Sequence, residues 1–77
     1  MDDLTEIDRI IAEKVRQMRN EKNVTQLSLS IDLGLSESFV GQVENPGSRR
    51  KYNLYHLNKI AKILNCTLWD LIPRDPV

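Results

Sequence analysis

Gln26, Ser36, Glu37, Ser38, Gln42 and Asn45 share one stretch with Leu29, Leu33, Val40 and Val43, apolar residues spaced three or four apart in each half. That spacing turns the apolar side chains to one side of two short helices and displays amides, hydroxyls and a carboxylate on the other. Groups of this kind do hydrogen-bonding chemistry. A Gln amide at position 42 offers a donor beside an acceptor, the complement of adenine N6 and N7. The Glu37 carboxylate can accept from cytosine N4 but repels phosphate, and near a helix N-terminus it has the alternative role of stabilising the helix. Just beyond, Arg49, Arg50 and Lys51 concentrate positive charge suited to phosphate, or equally to a solvated loop. Catalysis lacks its parts. The chain has one His and one Cys, and no Cys, Asp or Glu stands at metal-ligand spacing from that His, which supplies neither a nucleophile–base pair nor a metal site. His56 reads as a surface or capping residue, Cys66 as a core thiol, and neither metal nor cofactor is expected.

Composition sets the frame for these residues. At 77 residues and 40% hydrophobic content, the chain is expected to be one domain spanning 1–77, with a core over about 7–72. That is near the lower limit for folding without disulfides, metal or a partner. One cysteine cannot form an internal disulfide, and no apolar run suits a bilayer or a signal peptide, so a cytoplasmic protein is expected. Net charge is zero, but Asp2, Asp3, Glu6 and Asp8 place four acids in the first eight residues. Residues 9–77 therefore carry 11 basic against 7 acidic side chains. Phosphate responds to such local potential rather than to the whole-chain sum.

Five helices are predicted to position the polar groups. Thr5 with Asp8 is a T-x-x-D capping pattern for a first helix of about fifteen residues, with Ile7, Ile10, Ile11, Val15 and Met18 inward and Asn23 as its stop. Thr25 caps the second, which turns Leu29 and Leu33 inward with Ser30 as a small packing residue. Gly34 supplies the positive φ of a sharp turn, Leu35 plugs it, and Ser36 caps a third helix over about 36–45. The outer face of that helix shows Glu37, Ser38, Phe39, Gly41 and Gln42, though Phe39 is expected to pack, because exposed phenylalanine is costly in so small a protein. Gly41 costs about 1 kcal/mol in mid-helix relative to Ala, and would let a phosphate backbone or a partner approach. Residues 45–48, N-P-G-S, are turn chemistry. A fourth helix starts after Asn53, with Leu54, Leu57, Ile60, Ala61 and Leu64 inward and Asn65 closing it. Thr67 with Asp70 caps a short fifth that carries Leu68, Leu71 and Ile72, and Pro73 and Pro76 end regular structure. No segment alternates as a strand does, so the class is all-α. The second and third helices, meeting at a glycine turn, form a helix-turn-helix, whose second helix lies in the DNA major groove.

With V-R-Q-M-R before this motif and L-N-K-I-A-K-I-L-N-C-T-L-W-D-L after it, the chain resembles the lambda-repressor/Cro-type (Xre-type) helix-turn-helix family from roughly Ile7 to Ile72. The interval from Arg19 to Thr25-Gln26, the glycine at 34, and Val43-Glu44-Asn45 closing the recognition helix all follow the family pattern. The resemblance implies a sequence-specific double-stranded DNA-binding transcriptional regulator, prokaryotic or from a phage. It assigns base contacts to Glu37, Ser38 and Gln42, and phosphate contacts to Gln26, Ser36, Asn45 and the loop Arg49, Arg50, Lys51. Arg19 and Glu44 match a partly buried ion pair of the scaffold, and Gly34 the turn. The N-P-G-S connection is about two residues longer than the family's compact turn. One recognition helix reads only a few base pairs, so a homodimer is expected, with helix 1, helix 5 or the C-terminal tail as the surfaces available. Trp69 reads either as a self-association patch or as core. The alternative is an antitoxin or other protein-interaction module, suggested by the acidic N-terminus, the zero net charge and the acid on the reading helix.

Overall fold

The computed structural model describes residues 4–77; Asp2 and Asp3 lie outside the described residues. Four α-helices follow in order: α1 Glu6–Glu21, α2 Gln26–Asp32, α3 Phe39–Glu44 and α4 Leu54–Ile63, then a 3₁₀ turn at Leu68–Asp70. No strand occurs among the described residues.

Local chemistry sets most of the boundaries. Thr5 and Asp8 close a reciprocal capping box at the start of α1. The Thr25 hydroxyl accepts from the Ser28 N–H to open α2. Asn23 and Asn65 take left-handed conformations, φ 58° and 54°, just beyond the ends of α1 and α4, and Gly34 turns the chain after α2 at φ 75°. A side-chain amide tolerates that region, and glycine enters it freely. α4 starts after Asn53 as expected, and Asn53 caps it, with His56 Nδ1 accepting the Asn53 N–H in return.

Val15, Leu29, Val40, Ile60, Leu64 and Leu71 are almost wholly buried at the centre, where α1, α2, α3 and α4 meet. Lys59 Nζ donates to the Leu33 carbonyl at 3.2 Å, closing the end of α2 from α4.

Three expectations need correction, and one open alternative is decided. The predicted fifth helix is one 3₁₀ turn, because Pro73 lacks an N–H and restricts Ile72 before a longer helix could close. The recognition helix begins at Phe39 rather than 36; Ser36 is not its cap, and its carbonyl accepts the Phe39 N–H at 3.0 Å in a turn. Leu54 is 69% exposed, since a first-turn residue projects past the end of the core, and Ile7 at the start of α1 is 40% exposed for the same reason. Trp69 is exposed rather than core, at 79%.

Candidate nucleic-acid interface

α3 is only six residues long, too short to hold itself in water, so its placement comes from its neighbours. Ser30 does more than fill space. Its fully buried hydroxyl donates to the Gln26 carbonyl at 2.9 Å and accepts the Val40 N–H at 3.0 Å. Ser38, the residue before α3, makes no side-chain cap of its own. The free N–H at the start of α3 is thus satisfied from α2.

The other end of α3 is tied to α1. Arg19 Nε and Nη2 donate to Glu44 Oε2 and Oε1 at 2.9 and 2.8 Å, the two-pronged geometry a guanidinium offers a carboxylate. The side chains are 9% and 5% exposed. Arg19 Nη1 also donates to the Val24 carbonyl at 2.8 Å. Gln26 Nε2 then donates to Glu44 Oε1 at 2.8 Å, so one carboxylate receives α1 and α2 together.

Gly41 explains how Gln26 gets there. A Cβ at position 41 would lie 3.2 Å from Gln26 Oε1, tighter than ordinary contact. The glycine makes room for this side chain, in place of the DNA backbone or partner that its position suggested.

The polar face divides into connected and isolated groups. Gln42 Nε2 donates to Ser38 Oγ at 3.2 Å, and Gln42 Oε1 accepts from Arg50 Nε at 3.0 Å. The Arg50 guanidinium lies over the Phe39 ring, 5.9 Å from its centroid. Phe39 is buried and set by His56 and Tyr52, whose ring centroids lie 5.1 and 6.0 Å away. Ser36 and Glu37 stand exposed in the turn before α3. Asn45 Oδ1 accepts the Gly47 N–H at 3.0 Å, shaping the turn after α3. Lys51 Nζ reaches Asp8 Oδ2 at 3.7 Å, which joins the basic loop to the start of α1. Backbone and hydroxyl donation from Thr5 and the charge of Lys51 hold the Asp8 carboxyl below the usual carboxylate range. Arg49 is exposed.

Tyr52 drew no role from the sequence and His56 only that of a surface or capping residue, yet both support the platform under Arg50. Burial pushes the Tyr52 hydroxyl well above its ordinary titration range, with the Glu44 charge acting the same way. Its Oη is buried with no hydrogen-bond partner among the described residues. The aromatic content at 52, following three bases, was the available signal.

Comparison with known proteins agrees with this geometry. A family model described as a Cro/C1-type HTH DNA-binding domain matches residues 14–76. Control protein C.SmaI of Serratia marcescens is 36% identical over 70 residues, covering 91% of this chain and 81% of that protein. The crystal structure of the restriction-modification controller protein C.AhdI from Aeromonas hydrophila superposes with a TM-score of 0.70 at 28% identity, over 83% of this chain and 94% of that one. The hypothetical transcription factor NHTF from Neisseria gives 0.74 at 25% identity, over 87% and 75%.

Proposed function

The chain belongs to the Cro/C1-type helix-turn-helix DNA-binding family and is a DNA-binding transcriptional regulator; from that premise we propose that it works as a cytoplasmic homodimer controlling restriction-modification genes. The observation that carries the mechanism is α3 itself. It is locked to α1 through Arg19–Glu44 and to α2 through Ser30, with Ser38 and Gln42 turned outward. A helix so held enters the major groove without reordering, which lowers the entropic cost of binding.

In this reading Ser38 and Gln42 face base edges, with Glu37 at the helix approach selecting against wrong bases rather than adding affinity. Gln26, Ser36 and Asn45 border the phosphates, and Arg49 and Lys51 supply charge. The exposed Trp69, with Ile72 and Arg74 around it, is offered as the self-association surface that pairs two recognition helices. The identity with C.SmaI supports the choice of target genes. Asp8, one of the acids that favoured an interaction module, is occupied in capping α1 and pairing with Lys51.

Selection of sites from random duplex DNA with the purified protein tests the reading. A palindrome with half-sites about one helical turn apart is expected. Recovery of no motif at low salt refutes it. Chromatin immunoprecipitation in the native host should then place the protein at a restriction-modification promoter, and occupancy confined to other promoters would refute that assignment.

A further inference from the structure

We propose that Arg50 reads a guanine, with Gln42 and Phe39 as its positioning residues, so that each half-site carries a G·C pair where Gln42 alone would select A·T. The proposal rests on the DNA-binding reading above and deepens it.

The argument begins with what Gln42 has left to offer. Adenine recognition by glutamine needs both halves of the amide, the oxygen accepting from N6 and the nitrogen donating to N7. Here Oε1 already accepts from Arg50 Nε, and Nε2 donates to Ser38 Oγ. Each half of the amide thus has one partner inside the protein, which holds a guanidinium against the outward face of α3 and leaves one lone pair and one N–H.

Arg50 is held on three sides. Its Nε is bonded to Gln42, its planar group lies over Phe39, and its backbone N–H donates to Ser48 Oγ at 3.1 Å, which fixes the loop at its root. The Phe39 ring is itself immobilised by His56 and Tyr52. The described contacts use Nε and one ring-facing surface, and no acceptor among the described residues is paired with the two terminal nitrogens. Those nitrogens are parallel donors in a rigid plane, the complement of guanine O6 and N7. A phosphate contact needs no such preparation, because mobile charge near the backbone suffices. The basic triplet therefore divides: Lys51 turns to Asp8 at the start of α1, and Arg50 turns to α3.

Site selection and affinity measurement with the wild type, Arg50→Lys and Gln42→Ala test this. Lysine keeps the charge and loses the fork. Arg50→Lys should therefore lose roughly tenfold or more of the preference for one guanine per half-site, with the rest of the motif and the salt dependence kept. Gln42→Ala should weaken preference at the same position. Replacing that guanine by 7-deazaguanine, which lacks the N7 acceptor, should weaken the wild type and leave Arg50→Lys nearly unchanged. A motif unchanged in Arg50→Lys, with affinity for all sequences altered alike, makes Arg50 a phosphate contact and overturns the proposal. Loss of preference for an adenine in Gln42→Ala, independent of residue 50, overturns it too. A wild type that enriches no motif removes the regulator reading and this assignment together, an outcome distinct from either of the others.

Discussion

Replacing Glu44 by Ala should cost this protein a large share of its stability. The carboxylate accepts three hydrogen bonds, two from Arg19 and one from Gln26, all between 2.8 and 2.9 Å. With the two ionic side chains 9% and 5% exposed, solvent cannot replace what is lost. Removing one partner strands the guanidinium, for which breaking a buried pair typically costs about 3–5 kcal/mol. A chain of this length has a total stability on the order of 4–12 kcal/mol. The corresponding fall in Tm is at least roughly 12 °C. Urea and thermal unfolding followed by circular dichroism, at one fixed protein concentration, measures it. The double replacement Arg19→Met with Glu44→Leu should recover much of the loss, because two apolar side chains leave no stranded charge. Gln26→Ala, at an exposed position, should cost only about 0.5–1.5 kcal/mol. A Glu44→Ala protein within about 1 kcal/mol of the wild type would show that the pair behaves like a surface ion pair, and the account of how α3 is held would fail.

Three further perturbations probe the groups around α3 and α4. Desolvation holds the His56 imidazole below its ordinary 6.5, and its Nδ1 must be unprotonated to accept the Asn53 N–H. The unfolded chain therefore takes up that proton first, so this contribution is complete above pH 6.5 and is lost as pH falls from there through the lower folded-state value. His56→Gln keeps a capping side chain and should flatten that part of the urea midpoint's pH dependence; equal slopes in both proteins would contradict it. Tyr52→Phe removes a buried hydroxyl that has no partner among the described residues, so stability should hold or rise, by up to about 1 kcal/mol. A loss greater than that in thermal unfolding would mean the hydroxyl is bonded. Gly41→Ala gains about 1 kcal/mol of helix propensity but moves Gln26, the flexible end of a side chain, off Glu44. Stability should change little while DNA affinity falls, and an affinity equal to the wild type's would remove Gln26 from the interface.

The parts legible in the sequence are those where cause and effect lie within a few residues. Thr5 with Asp8, Thr25, Asn53, and Thr67 with Asp70 each cap the turn they begin, and Asn23, Gly34 and Asn65 each bend the chain where they stand. The start of α3 was not legible for the opposite reason. Two serines, 36 and 38, are both acceptable caps, and the N–H in question is instead satisfied by a third, Ser30, ten residues before it in another helix. A hydrogen bond across helices leaves no mark in the spacing of residues along one helix. The same holds for the basic loop, where three adjacent cations look equivalent until Lys51 meets Asp8 and Arg50 meets Gln42.

Gly41 carries that distinction furthest. Its mid-helix cost was visible as a local defect, and a local defect in a recognition helix invites an explanation outside the protein, such as an approaching phosphate. The compensation is internal: the missing Cβ lets Gln26 cross α3 and reach Glu44, which already holds Arg19. About 1 kcal/mol of helix propensity is given up at Gly41. The room it leaves admits a hydrogen bond at an exposed position, worth about 0.5–1.5 kcal/mol. The exchange is about even while Glu44 is present and runs against the glycine without it. In the Arg19→Met, Glu44→Leu background, which offers Gln26 no acceptor, Gly41→Ala should become clearly stabilising, and urea unfolding that shows the same effect of Gly41→Ala in both backgrounds would separate the glycine from the network.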